Sequence, residues 1–595
     1  MTMRAPRTPM RWKMLLAAPI AFLALRVPAQ DDVPMRAMKD ELARSMSQLR
    51  LERMEKPYFI AYRMNDVEAA AVSATLGSLT ASQPARARVV AVELRVGDYA
   101  LDNSNFLSSR GFGDGQLMGF GEAPLDDDYQ QIRRQLWLVT DAQYKRALED
   151  LSAKRAVLRM RKRADDLPDF AREAPVTVTE PPGASRVDVR ELEALARELS
   201  SVFRSAPEIR RSSVRLESRQ VYTRYANSEG TTFTRSSPSF RLQIDAETQA
   251  PDGLPIADSI ELRGRTPSDL PARPALLARA REMAARLLDL RSAPSLERYN
   301  GPVLFEGPAA AEIFGQVFAP WLVATRQPVS DDPRFDALYD QMMAQASGAS
   351  FLDKIGGRVL PEFLGVTDSP LQRDFAGTPL LGGQRIDDDG VPTRETRLVD
   401  HGFLKTMLAT RVPVRGIPHG TGSSRGFGPA PGNLLVSCDR PLDDAALRRE
   451  LLEQARKRGL DHAIVVRRVG AAGTSSLLRT FSRMMGQGEV ASPSLPEVYA
   501  VYLDGREERL RGMQLGAVSP AAFRDIVAAG GRPTVFSDEF AGHLAWLLSL
   551  GPAARSAAAV VSSVVPSLLF EELSLTKSRG PLPSPPITPS PLAGR

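Results

Sequence analysis

The sequence predicts a multidomain α+β protein, with mixed α/β regions in its first half and a β-rich, antiparallel domain in its second. Three observations point there. A chain of 595 residues with 43% hydrophobic side chains is long enough for three or four cored domains. Apolar residues recur with period two in some stretches and at three- and four-residue spacing in others. Turn signals, Asn227-Ser228-Glu229-Gly230, Asp389-Gly390 and His401-Gly402, separate apolar runs as hairpins require. The net charge of +6 is small and the Arg residues are scattered, so no nucleic-acid partner is expected. One cysteine, Cys438, excludes an internal disulfide framework.

Arg4, Arg7, Arg11 and Lys13 precede an apolar run from Met14 to Leu25, and Val27-Pro28-Ala29 is a small-residue cleavage site. Residues 1–29 therefore read as a secretory signal peptide, too short to span a bilayer, which takes roughly 20 apolar residues. An uncleaved anchor is the alternative. The expected location is periplasmic or extracellular, with no later membrane span.

Residues 30–176 form an N-terminal α/β region. Met35 to Arg53 reads as a helix with Met38, Leu42, Met46 and Leu49 on one stripe, followed by strands at Pro57 to Tyr62 and Arg86 to Asp102. Asp102-Asn103-Ser104-Asn105 suits a turn, with a carbohydrate or metal role as the alternative. Gly111 to Gly121 has the composition of a loop, and Asp141 to Lys162 that of a charged helix burying Tyr144, Leu148, Leu151 and Leu158. A Pro-rich connection leads into a middle α/β region, 177–298. There a helix at Val189 to Phe203 precedes a hairpin across Ser213 to Thr248 and a helix from Pro274 to Leu290.

At Gly301 to Leu322, GPVLFEGPAAAEIFGQVFAPWL, a short apolar strand ends at Gly307 and a helix starts at Pro308. Ala311, Phe314, Val317 and Phe318 give that helix an apolar face. This stretch resembles the metal-binding segment of the TldD/PmbA family, where a strand and a helix carry His-Glu-x-x-x-His. The first His corresponds to Ala311, the Glu to Glu312 and the second His to Gln316. Two imidazoles would hold Zn²⁺ and the carboxylate would take a proton from its water. Ala offers no donor and a Gln carbonyl is a poor zinc ligand, which leaves Glu312, of a residue type ordinarily solvated on a helix.

The resemblance continues over 299–575, the metallopeptidase-like C-terminal domain. Arg385 to Pro392 with Leu398 to Lys405 is similar to the family's acidic turn and following strand. Thr410-Arg411, the loop Thr421 to Arg425 with Pro431 and Asn433, the hairpin Ala500 to Gly516, the short helix Ala522 to Val527 and the closing segment Val560 to Leu573 follow in the family's order. The family's third ligand is a late Cys, which Cys438 does not match. The histidines, His401, His419, His462 and His543, have no local zinc-ligand spacing. Gly422-Ser423-Ser424-Arg425-Gly426 fits Gly-x-Ser-x-Gly, but Gly428, Pro429, Pro431 and Gly432 would break the helix such an elbow needs. Arg425 and Asn433 are instead candidate peptide contacts, with a plain surface loop as the alternative. Residues 576–595 read as a Pro-rich, disordered tail.

The resemblance implies a secreted metallopeptidase homologue without zinc, acting as the peptide-binding, non-catalytic partner of a homologue in proteolysis of unfolded peptides, as a homodimer or heterodimer. An active metallopeptidase with ligands from elsewhere in the chain, and a non-catalytic envelope binding or assembly protein, are the alternatives.

Overall fold

A computed structural model describes residues 32–108, 119–161, 165–183, 187–334, 351–426, 428–470, 495–516, 518–540, 559–577, 588 and 590–592. The expected signal peptide, residues 1–29, lies outside them, as do His543 and most of the expected Pro-rich tail.

Two long hairpins build the first domain. Pro57–Thr75 turns through Leu76 and Gly77, both at positive φ, into Ser78–Val96, and Arg211–Asn227 turns into Thr232–Gln249 with Gly230 at φ +100°. The hairpins pair antiparallel from Ala61 opposite Asn227 to Ala74 opposite Val214. Gly119–Ala123, Pro255–Gly264 and the short Thr177–Thr179 complete one seven-stranded sheet. That sheet runs across the boundary drawn at 176/177, so the two α/β regions share a single scaffold.

Alternation decides what each face meets. Ile60, Tyr62, Met64, Val90, Val92 and Leu94 pack under the helices Val33–Gln48 and Tyr129–Met160. Val72, Val214, Leu216, Leu242 and Ile244 pack under Val189–Ser201 and Arg273–Leu290. The first helix stops at Gln48, before the Arg53 expected from sequence, and Leu51 and Met54 beyond it are exposed. The second begins twelve residues before the expected Asp141, because the Asp128 carboxylate caps it by accepting from the Gln130 and Gln131 N–H groups.

Among the described residues the second domain has two large sheets, besides two short two-stranded pairings. One orders Phe403–Leu404, Thr396–Asp400, Leu364–Asp368, Asn433–Cys438, Ala559–Val565 and Thr534–Phe540. The other centres on Arg298–Phe305, flanked by His462–Arg468 and Leu568–Lys577. Pairings are mostly antiparallel, with parallel contacts between Asn433–Cys438 and Ala559–Val565 and between Arg298–Phe305 and His462–Arg468. Among the described residues no helix is long and apolar enough to cross a membrane.

The domains join through the second face of the first sheet. Phe59, Tyr225 and Phe233 on that face enclose Phe170 and Ile386. Arg235 reaches Asp388 at 2.5 Å, Arg63 lies 3.6 Å from it, and Gly426 N–H donates to it at 2.6 Å. The Arg411 guanidinium is 1% exposed; it donates to Ala171 O and Glu229 and lies 4.0 Å from the Phe170 ring centre.

Candidate functional site

The strand Arg298–Phe305 delivers the motif helix. Val303, Leu304 and Phe305 are buried, Gly307 takes φ +56°, and Pro308 opens an α-turn to Ile313. A π-turn, Phe314–Phe318, follows. Packed against strands of both C-terminal sheets, this segment is buried nearly all round rather than along one stripe.

Ala311 is fully buried in the apolar core. Glu312 is not solvated: it is 6% exposed, and one carboxylate oxygen accepts the Val469 N–H at 2.6 Å. Burial pushes its pKa up to about 7, opposed by Arg468 and by that N–H. Gln316 Nε2 donates to Gly470 O at 3.4 Å, a long bond. The two polar side chains thus hold consecutive backbone units just beyond the strand His462–Arg468. Zinc does not fit this donor set, since one position has no donor, one turns its amide N–H to a carbonyl and the carboxylate accepts a backbone N–H. Nor does any group of three or more His, Cys, Asp or Glu among the described residues suit a metal. His401 and His419 are exposed, and His462 pairs with Asp461 at 2.6 Å. Cys438 ends its strand against the core, where burial raises its pKa.

Arg425 and Asn433 sit elsewhere. Asn433 is fully buried and its amide is committed: Oδ1 accepts from Gly382 N–H, and Nδ2 donates to Ser369 O and Gln372 O. Arg425 lies in a two-residue strand, Ser424–Arg425, that pairs with Gly428–Pro429, so no helix follows Ser424. Burial lowers the Arg425 pKa to about 10 and raises that of its neighbour Asp368 to about 7. The hydrogen bonds of Asn433 and the pairing of the Arg425 strand run to segments other than the motif helix.

A cavity of about 790 Å³ does open next to the motif, where Arg468, Gly470 and Pro496 face the first sheet. Its floor is a run of alternate side chains, Arg241, Gln243, Asp245 and Glu247, with Ser213 and Glu261 from the flanking strands. Arg241 donates to Gln243 Oε1 at 2.9 Å and to Glu261 at 3.1 Å, and Gln243 Nε2 donates to Asp245 at 3.0 Å. Arg468 pairs with Asp258 at 2.9 Å and also donates to Ser259 O, tying the wall to the floor. Beside it, Arg263 pairs with Glu261 and lies 3.4 Å from Asp538, whose pKa burial lifts to about 6. Sequence reading located this strand but missed the site; the signal was the polar alternation in Arg241-Leu242-Gln243-Ile244-Asp245-Ala246-Glu247.

By sequence, no curated protein matches the chain. Residues 298–490 match the profile of the PmbA/TldA metallopeptidase C-terminal domain. Among solved structures, a candidate modulator of a DNA gyrase from Thermotoga maritima MSB8 aligns at TM-score 0.55 and 15% identity, over 91% of this chain and 99% of its own. TldE from Thermococcus kodakarensis aligns at 0.54 and 11%, over 91% and 100%. A candidate modulator of DNA gyrase from Bacteroides thetaiotaomicron VPI-5482 aligns at 0.53 and 11%, over 92% and 98%. At such identities the structures speak for the fold of the chain, and the profile supplies the sequence link for its second half: residues 298–490 form a domain of the PmbA/TldA metallopeptidase C-terminal type.

Proposed function

We propose that this protein is a zinc-free, exported TldD/PmbA-family member that binds extended peptide and acts as the non-catalytic partner of a metallopeptidase homologue. The observation that carries this reading is the use of Glu312 and Gln316 to hold Val469 and Gly470, with Ala311, just before Glu312, buried and without a side-chain donor atom. A hydrolytic zinc site needs about three protein ligands and an open position for water. The motif supplies none. The cavity beside it supports retained binding, because a polar floor under a 790 Å³ space suits a polypeptide. TldE among the similar structures is consistent with a paired role. Export rests on the leader-like residues 1–29.

Elemental analysis tests the reading. The chain, purified without chelator or histidine tag, should hold far less than one zinc per molecule, cleave no unfolded peptide alone, and co-purify with a homologue whose His-Glu-x-x-x-His is intact. Near one zinc per chain, with chelator-sensitive peptidase activity, would overturn it.

A further inference from the structure

The cavity floor carries four carboxylates, and three of them are paired. Glu261 meets Arg241 at 3.1 Å, Asp258 meets Arg286 at 2.6 Å and Arg468 at 2.9 Å, and Glu247 lies 3.9 Å from Arg211. Asp245 differs. Its partners are the neutral Gln243 amide at 3.0 Å and the Ser213 hydroxyl at 3.5 Å, and among the described residues it makes no ion pair. Ser213 and Ser259 flank it in register on the two neighbouring strands, so no cation stands directly opposite on either side. The exposed Arg210 and Arg215 make no ion pair with it. The Ser259 hydroxyl is enclosed and without a hydrogen-bond partner.

We propose that Asp245, with Ser259 beside it, receives a cationic group of the bound peptide: the ammonium or guanidinium of a Lys or Arg side chain, or an amino terminus. This rests on the peptide-binding reading and names the substrate class of that site. A carboxylate whose hydrogen-bond partners among the described residues are neutral, in a partly enclosed cavity, attracts a cation more strongly than one in open water, because the local dielectric is lower than that of water. Arg241 and Glu247 are six residues apart on the strand, roughly 20 Å of extended chain. The floor therefore matches about six peptide residues, with the cation over its middle.

The test is calorimetric titration of the whole chain with three hexapeptides. Acetyl-Gly-Ala-Ala-Lys-Ala-Gly-amide is compared with the same peptide carrying Gln for Lys, and with the Gln peptide left free at its amino terminus. The Lys peptide, the free-amine peptide or both should bind about tenfold or more tighter than the capped Gln peptide, as a charge-assisted hydrogen bond supplies. Which of the two does so identifies the source of the cation. Asp245→Asn should bring the ratio near one. Equal, measurable binding of all three to the natural chain overturns the role of Asp245 and leaves the peptide reading standing; a preference that survives in Asp245→Asn does the same. Failure of every peptide to bind overturns both.

Discussion

Arg468 and Asp258 meet at 2.9 Å across the two domains, one at the end of the strand that leads to Val469 and the other fully buried on the first sheet. Asp258 is also held by Arg286 at 2.6 Å, so one carboxylate binds a helix of the first domain and a strand of the second. The strand end that Glu312 and Gln316 hold is thereby fixed to the cavity floor. Replacing Arg468 by Met should loosen the domain junction and cost about 2–3 kcal/mol, since a buried Asp258 loses one of two cations. Chemical denaturation would check this, and an unchanged midpoint would show the contact to be neutral.

The pH response of stability should carry Glu312's signature. Its folded pKa is about 7, against an ordinary value of about 4.3. Between these values the folded chain keeps a proton that the unfolded chain has released, so this group's stabilisation is complete below about pH 4.3 and is lost as pH rises through 7. Asp368, at about 7, and Asp538, at about 6, act with the same sign. Thermal melts from pH 5 to pH 8 should fall less steeply in Glu312→Gln, by on the order of 1–3 kcal/mol. Identical slopes would remove Glu312 as a contributor.

Asn433→Ala should cost about 2–4 kcal/mol. The change orphans the buried Gly382 N–H and takes a donor from Ser369 O and Gln372 O. Urea midpoints measure the loss, and a value below about 1 kcal/mol would mean that water replaces the amide.

Two glycines offer a contrast. A Cβ on Gly382 would stand 1.8 Å from Gly432 O, whereas one on Gly428 would meet nothing within 4 Å. Gly382→Ala should therefore lower soluble yield sharply while Gly428→Ala stays within about 0.5 kcal/mol of the natural chain. Comparable yields would contradict the close approach.

Writing the motif back should not restore zinc. In the double variant Ala311→His and Gln316→His the first imidazole enters a fully buried alanine site, where added bulk typically costs 1–3 kcal/mol, and the described residues of the natural chain hold no ready group of three or more His, Cys, Asp or Glu for a metal. Stoichiometric zinc in the purified variant would refute this.

The sequence by itself determined the α+β class, the hairpin at Asn227 to Gly230, the strand into Gly307 and Pro308, and the loss of donors at Ala311 and Gln316. These are local matters, since turn chemistry, period and the presence or absence of a ligand atom are all written in adjacent residues. Tertiary structure alone decided that Glu312 is buried and bound to Val469, that Asn433 spends its amide on three backbone groups, and that strands on both sides of residue 176 make one sheet. It also decided that the polar face of the strand Thr232–Gln249 lines a cavity instead of facing solvent. The reason is range: Val469 lies 157 residues beyond Glu312, and which carboxylates of the cavity floor are paired depends on Arg211, Arg286 and Arg468 from other strands and a helix.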